Sequence, residues 1–187
     1  MSTGCRLNNS TARPLPAQPP LPISGLSSSP IASTLEQGCL LTAGASALDL
    51  EEQVVFDATN AYRTSLGLAA LRLSSTLQRA AAWKSMDMAT RHYLAHDDGL
   101  RSWSERLMDC GYPVNQIMAE NIAAGYAAGG AVFAGWRASP GHNRNLVNPE
   151  MRAIGLKRVQ AVPADQYGWY WTMELGGIVD APPVAPR

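Results

Sequence analysis

Histidine is scarce in this chain, and two of its three copies follow predicted helices. His96 follows a helix that the pattern predicts from Ser75 to about Tyr93. His142 follows a helix predicted over residues 131–138, which Pro140 should end. Helix ends and loops often carry functional side chains. Two neutral imidazoles that the fold brings together could bind zinc or copper.

A carboxylate close to the two imidazoles would extend this chemistry. Glu120 could complete an open three-ligand site, orient a ligand histidine, or act as a base. No HExxH or comparable local signature joins these residues, and spacing alone favours two separate surface histidines. His92 and His96 form a second candidate metal pair, since their i,i+4 spacing puts them on one side if the helix continues.

The elements that must position these side chains are marked by helix-start signals. A side-chain acceptor followed by an acid or amide three residues later predicts a helix N-terminus. This signal occurs at Asp49 with Glu52, Ser75 with Gln78, and Ser102 with Glu105. Gly67 and Gly111 can supply left-handed stops.

Strand patterns come mostly after the helices. Residues 152–159 and 169–175 alternate and contain β-branched or aromatic residues, and a short strand is predicted over residues 117–122. Helices followed by strands indicate an α+β fold with an antiparallel sheet.

Composition limits the organisation and the class of function. The 187 residues suit one domain with flanking segments: a Pro/Ser-rich segment at 1–48 predicted to be disordered, a domain at 49–178, and a Pro-rich tail at 179–187. Lys+Arg and Asp+Glu both number 15, so the excess of basic residues that is typical of nucleic-acid binders is absent. No apolar run is long enough to predict a transmembrane helix.

The cysteines allow two interpretations. Cys39 and Cys110 could form a disulfide in an oxidising compartment, or Cys110 could be a small buried hydrophobe. Cys5 is left over in either case, and no CxxC pair predicts a cysteine zinc site. The first 23 residues lack the basic start and apolar stretch of a secretory signal.

Two longer motifs carry a resemblance to a known family. Residues 119–123 read Ala-Glu-Asn-Ile-Ala, and residues 136–142 read Trp-Arg-Ala-Ser-Pro-Gly-His. With the Asn-Ala-Tyr-Arg run at 60–63, these segments make the chain resemble the CAP superfamily (SCP, or pathogenesis-related-1-like, domains), in its bacterial SCP-domain branch. The resemblance covers about residues 50–177.

This resemblance implies both a fold and a site. The fold is a three-layer α-β-α sandwich with a central antiparallel sheet. The site is a cleft in which His96, Glu120 and His142 hold a divalent metal such as Zn²⁺, in a secreted or cell-envelope protein. Many eukaryotic members have a second Glu three residues after the motif Trp, where this chain has Ser139, so the acidic pair is incomplete.

Neighbouring polar residues have predicted structural roles. Glu105 is expected to close the capping box with Ser102 rather than to enter the cleft. Asp97 and Asp98 are predicted to be solvated turn residues, although either could steady His96. Asn121 is expected to fix the backbone around Glu120, and Asn145 is a candidate for holding the segment that presents His142.

Two main functional hypotheses follow, from different classes. The first is a monomeric, non-catalytic binding module whose cleft holds a metal and engages a lipid-like, glycan or protein partner. The second is a metal-dependent, peptidase-like hydrolase in which His96 and His142 hold zinc and Glu120 activates the bound water. A plainer third interpretation is an architectural envelope domain with a vestigial cleft.

Overall fold

The computed structural model describes residue 39 and residues 47–113, 117–163 and 165–180. Most of the 1–48 segment, including Cys5, and residues 181–187 of the Pro-rich tail therefore lie outside the described residues. From residue 47 onward the described ranges hold five helices and four strands. In chain order these are α1 (Leu50–Ser65), β1 (Arg72–Leu73), α2 (Ser75–Arg91), α3 (Trp103–Asp109), β2 (Met118–Ala124), α4 (Gly129–Ala138), α5 (Pro140–Leu146), β3 (Ala153–Gln160) and β4 (Trp169–Gly176).

The predicted capping boxes are correct for α1 and α3. Asp49 caps α1 with Glu52, and Ser102 caps α3 with Glu105, each box complete in both directions. The prediction for α2 is wrong in detail. Ser74 is its N-cap, one residue earlier than expected. Gln78 instead exchanges hydrogen bonds of 2.6 and 3.0 Å with the backbone of Leu156 in β3, because the helix lies directly on that strand.

The sheet has the strand order β1-β3-β4-β2. The three long strands pair antiparallel, and the two-residue β1 adds to β3 in parallel, so the sheet is mixed. Helices pack on both sides of it. The predicted α+β fold with a sheet between helices is confirmed.

The two faces of the sheet differ in chemistry because side chains alternate along each strand. One face carries a fully buried apolar core with Trp171, Met173 and Leu175 of β4, and packs against α1, α4 and α5. The other face carries Thr172 and Glu174 of β4, and packs against α2 and α3.

Gly155 of β3 permits the close approach of α2 to the second face. A Cβ at this position would lie 2.2 Å from the backbone of Leu77, so a side chain cannot be accommodated without moving the helix. Here β3 and α2 meet backbone to backbone, which brings the side chains of α2 down onto the polar face.

A disulfide joins Cys39 to Cys110 at the end of α3, with a Cα–Cα distance of 5.0 Å. Cys110 is also buried, so it combines the two roles considered for it. Among the described residues, no helix is long and apolar enough to cross a membrane.

Candidate functional site

The candidate site lies beside β2, which is an edge strand of the sheet. A cavity of about 600 Å³ opens here. The lining residues are His96, Asp97, Ser102, Trp103, Met118, Ala119, Glu120 and Asn145.

His96 reaches the cavity from the segment that follows α2. The helix ends at Arg91, and His92 adopts a left-handed conformation with φ 55°, which turns the chain away from the helix axis. The His96 side chain is half exposed, whereas the Glu120 side chain is 1% exposed. Nδ1 of His96 lies 2.7 Å from Oε1 of Glu120. This contact fixes the ring orientation and leaves Nε2 as the nitrogen free for a ligand.

The second carboxylate oxygen of Glu120 is held by Arg106 of α3. The guanidinium Nη2 donates to Oε2 of Glu120, and Nη1 donates to the main-chain oxygen of His96 at 3.2 Å. Burial raises the pKa of Glu120, but the His96 hydrogen bond and the Arg106 charge outweigh burial and hold the pKa below its usual range. Glu120 is therefore a weak base with both oxygens occupied.

Glu174 is a buried acid that the sequence reasoning missed. It lies directly opposite Glu120 in the β2–β4 register, and its Oε1 is 3.6 Å from Nη2 of Arg106. Complete burial and the neighbouring Glu120 charge raise the pKa of Glu174 well above its ordinary value. Arg106 is the cation that lies against both of these buried acids. An acid in the otherwise apolar β4 strand was the signal available in the sequence.

His142 comes from the other layer of the protein. It lies in the first turn of α5, because Pro140 begins a new helix there, and not in the loop predicted after α4. Burial, followed by the charge of His96, lowers the pKa of His142. Its imidazole is therefore neutral at pH 7, as a metal ligand must be.

Two asparagines attach α5 to β2. Asn121 donates to the main-chain oxygen of His142 at 3.2 Å. Asn145 donates to Oδ1 of Asn121 at 2.8 Å and to the main-chain oxygen of Glu120 at 3.4 Å. Asn145 therefore helps to hold the helix that presents His142, as predicted, while Asn121 bonds to the His142 backbone and Asn145 to the Glu120 backbone.

The remaining candidates have structural partners. His92 contacts Asp165 at 3.0 Å and not His96, so the alternative histidine pair is not formed. Glu105 closes its capping box as predicted. Asp98 is 3% exposed and accepts hydrogen bonds from two main-chain amides, which corrects the prediction of a solvated turn residue. Asp97 is exposed as predicted, and it accepts from the Trp103 amide at 3.2 Å.

The side chains at the site supply only part of the ligands that a divalent metal needs. Within the part of the chain that the structure describes, no three His, Cys, Asp or Glu side chains converge into a ligand group. His96, whose Nδ1 is held by Glu120, and His142 are the imidazoles that such an ion could use, and His142 is not among the residues that line the cavity. The contacts of Glu120 suit the orienting role, and its role as a ligand stays a prediction.

Comparison with known proteins agrees with the geometry. The profile of the CAP, cysteine-rich secretory protein, family matches residues 56–175. The uncharacterized protein YkwD of Bacillus subtilis (strain 168) is 30% identical over 145 residues, which are 78% of this chain and 54% of that protein. The uncharacterized membrane protein YlbC of the same strain is 33% identical over 106 residues, 56% of this chain and 30% of that protein. The chain thus spans about half or less of these relatives.

Solved structures show the same fold. An extracellular protein containing a SCP domain from Bacillus anthracis str. Ames matches with a TM-score of 0.59 and 28% identity, covering 67% of this chain and 40% of that one. An outer surface protein from Borrelia burgdorferi matches with a TM-score of 0.61 and 20% identity, covering 69% of this chain and 95% of that one.

Proposed function

Because the chain belongs to the CAP, cysteine-rich secretory protein, family, we propose that it is an extracellular or cell-envelope binding module whose cleft takes up a divalent metal ion. His96 and His142 bind the ion, and Glu120 orients His96. The 2.7 Å contact between His96 and Glu120 at the cavity wall carries this proposal. Carboxylate–histidine pairs of this kind fix the tautomer of metal-binding imidazoles.

The extracellular location rests on two independent observations. The Bacillus anthracis relative at 28% identity is described as an extracellular protein. The Cys39–Cys110 disulfide is typical of an oxidising compartment, since cytosolic thiols are kept reduced.

The cavity suits a partner that offers both polar and apolar groups. Trp103 and Met118 give its wall an apolar part, while His96 and Asn145 give it hydrogen-bonding groups. A lipid-like, glycan or protein ligand meets this description, and a bound metal would supply an electrophilic centre for an oxygen of that ligand.

Binding is favoured over hydrolysis by the electrostatics of Glu120. A general base needs a pKa near the working pH. The pKa of Glu120 is instead held below its usual range, and Arg106 occupies the oxygen that His96 leaves. If the protein is nevertheless a hydrolase, Glu120→Gln should abolish turnover while the metal is retained.

Calorimetric titration of the purified chain with Zn²⁺ tests the proposal. We expect one saturable site in the parent, and its loss in His96→Ala and His142→Ala. His92→Ala is the matched control, because His92 contacts Asp165 outside the cavity and should leave binding unchanged. Absence of binding in the parent, or equal binding in all three variants, would refute the metal role.

A further inference from the structure

Three cationic side chains bind three consecutive main-chain oxygens around His96. Arg106 donates to the oxygen of His96 at 3.2 Å, Lys84 to that of Asp97 at 3.3 Å, and Arg91 to that of Asp98 at 3.0 Å. Lys84 and Arg91 belong to α2, whereas Arg106 belongs to α3. The segment 96–98 is thus held from two helices at once.

Burial of the cationic groups makes these contacts unfavourable to form unless each charge finds a partner. Lys84 and Arg106 are fully buried, and a buried ammonium group loses its hydration. Burial, followed by the Arg106 charge, lowers the pKa of Lys84 to about 8, so Lys84 remains charged at neutral pH. A charge retained in this setting must be satisfied by the groups that surround it.

Those surrounding groups form one connected row along α2. Lys84 donates to the hydroxyl of Tyr93 at 2.9 Å, and Tyr93 donates in turn to buried Asp87. Asp87 also pairs with Arg91 at 3.2 Å. Spacings of three and four residues put Lys84, Asp87 and Arg91 on one face of the helix. The row begins and ends on cations that face the segment 96–98.

The consequence concerns the ring of His96. Its contact with Glu120 depends on where the backbone of residue 96 lies, since a half-exposed side chain has little packing of its own to hold it. We propose that Lys84 and Arg91 are positioning residues for the candidate site, which hold the main chain of residues 97 and 98 and thereby fix His96 against Glu120. The relevance of this restraint to metal binding rests on the proposed function, whereas the restraint itself does not.

Lys84→Met is the main test variant. Methionine approximates the length of lysine and tolerates burial. The partners of Lys84 are a hydroxyl and a main-chain oxygen, so the substitution takes no direct cationic partner from a buried carboxylate. We expect a folded protein in which the segment after α2 is loosened. Lys157→Met is the matched control: Lys157 pairs with Glu52 at 3.2 Å, away from the cavity.

Hydrogen exchange and NMR of the metal-free chain measure the restraint directly. The amides of Leu100 and Arg101, bonded to Asp98 in the parent, should exchange about tenfold faster in Lys84→Met and not in Lys157→Met. Long-range ¹H–¹⁵N spectra should show that His96 loses its fixed tautomer in Lys84→Met. Unchanged exchange and an unchanged tautomer would overturn the proposal.

Two further measurements keep the test decisive. If Lys84→Met does not fold, Arg91→Met, at a side chain that is 45% exposed, tests the same restraint at the oxygen of Asp98 by the same readouts. In a parent that binds Zn²⁺, Lys84→Met should lower the affinity about tenfold, which is typical for loss of an outer-shell contact. A parent without zinc binding refutes the proposed function alone, since exchange and tautomer still judge the restraint.

Discussion

The two faces of the sheet bury side chains of opposite chemistry in one small domain. On one face Trp171, Met173 and Leu175 pack into a continuous apolar core. On the other, Glu120 and Glu174 lie opposite each other with Arg106 against both carboxylates. The first face stabilises the fold by removing apolar area from water. The second face stabilises the fold only while each buried charge keeps its partner. The candidate site lies where the face that buries charged side chains reaches the edge strand β2.

The largest expected loss of stability comes from Arg106→Met. Removing this cation leaves the buried charge of Glu120 without its main partner, so the free energy of unfolding should fall by about 3–5 kcal/mol. Urea denaturation measures this fall in the free energy of unfolding. Adding Glu120→Gln should recover part of the loss, because the unpaired anion is then gone. Strict additivity of the two substitutions would argue against the charge pairing.

A cavity on the apolar face should cost somewhat less. Leu175→Ala removes a fully buried side chain, and about 3 kcal/mol should be lost from the free energy of unfolding. Because no ionisable group is involved, this loss should be the same at pH 5 and pH 8. Leu100→Ala, at a residue that is 81% exposed, is the control and should change stability little. If the loss in free energy of unfolding for Leu175→Ala depended strongly on pH, the two faces would not differ in the way described.

The smallest effect is expected at the rim of the apolar layer. Asp49 caps α1 and contacts Arg158 at 2.7 Å. Burial raises the pKa of Asp49, but the Arg158 hydrogen bond and two backbone amides hold it below the ordinary value. Since Asn also caps helices, Asp49→Asn should cost less than about 1 kcal/mol at pH 7.

The pH dependence of that small loss has a defined sign. A carboxyl with a lowered folded-state pKa stabilises above the unfolded pKa of about 3.9, and this contribution disappears as the pH falls through the folded pKa. The stabilities of the parent and of Asp49→Asn should therefore converge in acid, as thermal unfolding at several pH values can show. A gap that widens below pH 4 would contradict the assignment.

The sequence allowed prediction of what depends on local signals. Capping boxes at Asp49 and Ser102 gave the correct helix starts, and alternation gave the three long strands to within two residues at either end. Family resemblance supplied the fold and the candidate residues. The helix at Pro140 was missed because proline was interpreted as a stop, although its fixed φ also suits the first turn of a helix.

The charge arrangement of the site depends on distant residues and could not be predicted locally. Glu120 and Glu174 are 54 positions apart in the sequence but adjacent across two strands. Gln78 is correctly spaced from Ser75 for a capping box, yet its side-chain amide donates to Leu156. Here a tertiary contact outweighs a local cap. The holding of segment 96–98 likewise requires knowing that α2 and α3 lie side by side beneath it.

The Cys39–Cys110 disulfide has a mechanical consequence for the chain. Tension applied to the chain before Cys39 would pass through the sulfur bridge into the end of α3, 71 positions further along. The part of the chain between the two cysteines, including α1, α2 and His96, would be shielded from the pull. Stretching a single oxidised molecule from both ends should therefore release only the length beyond the bridge, and adding a reductant should release the enclosed stretch as well.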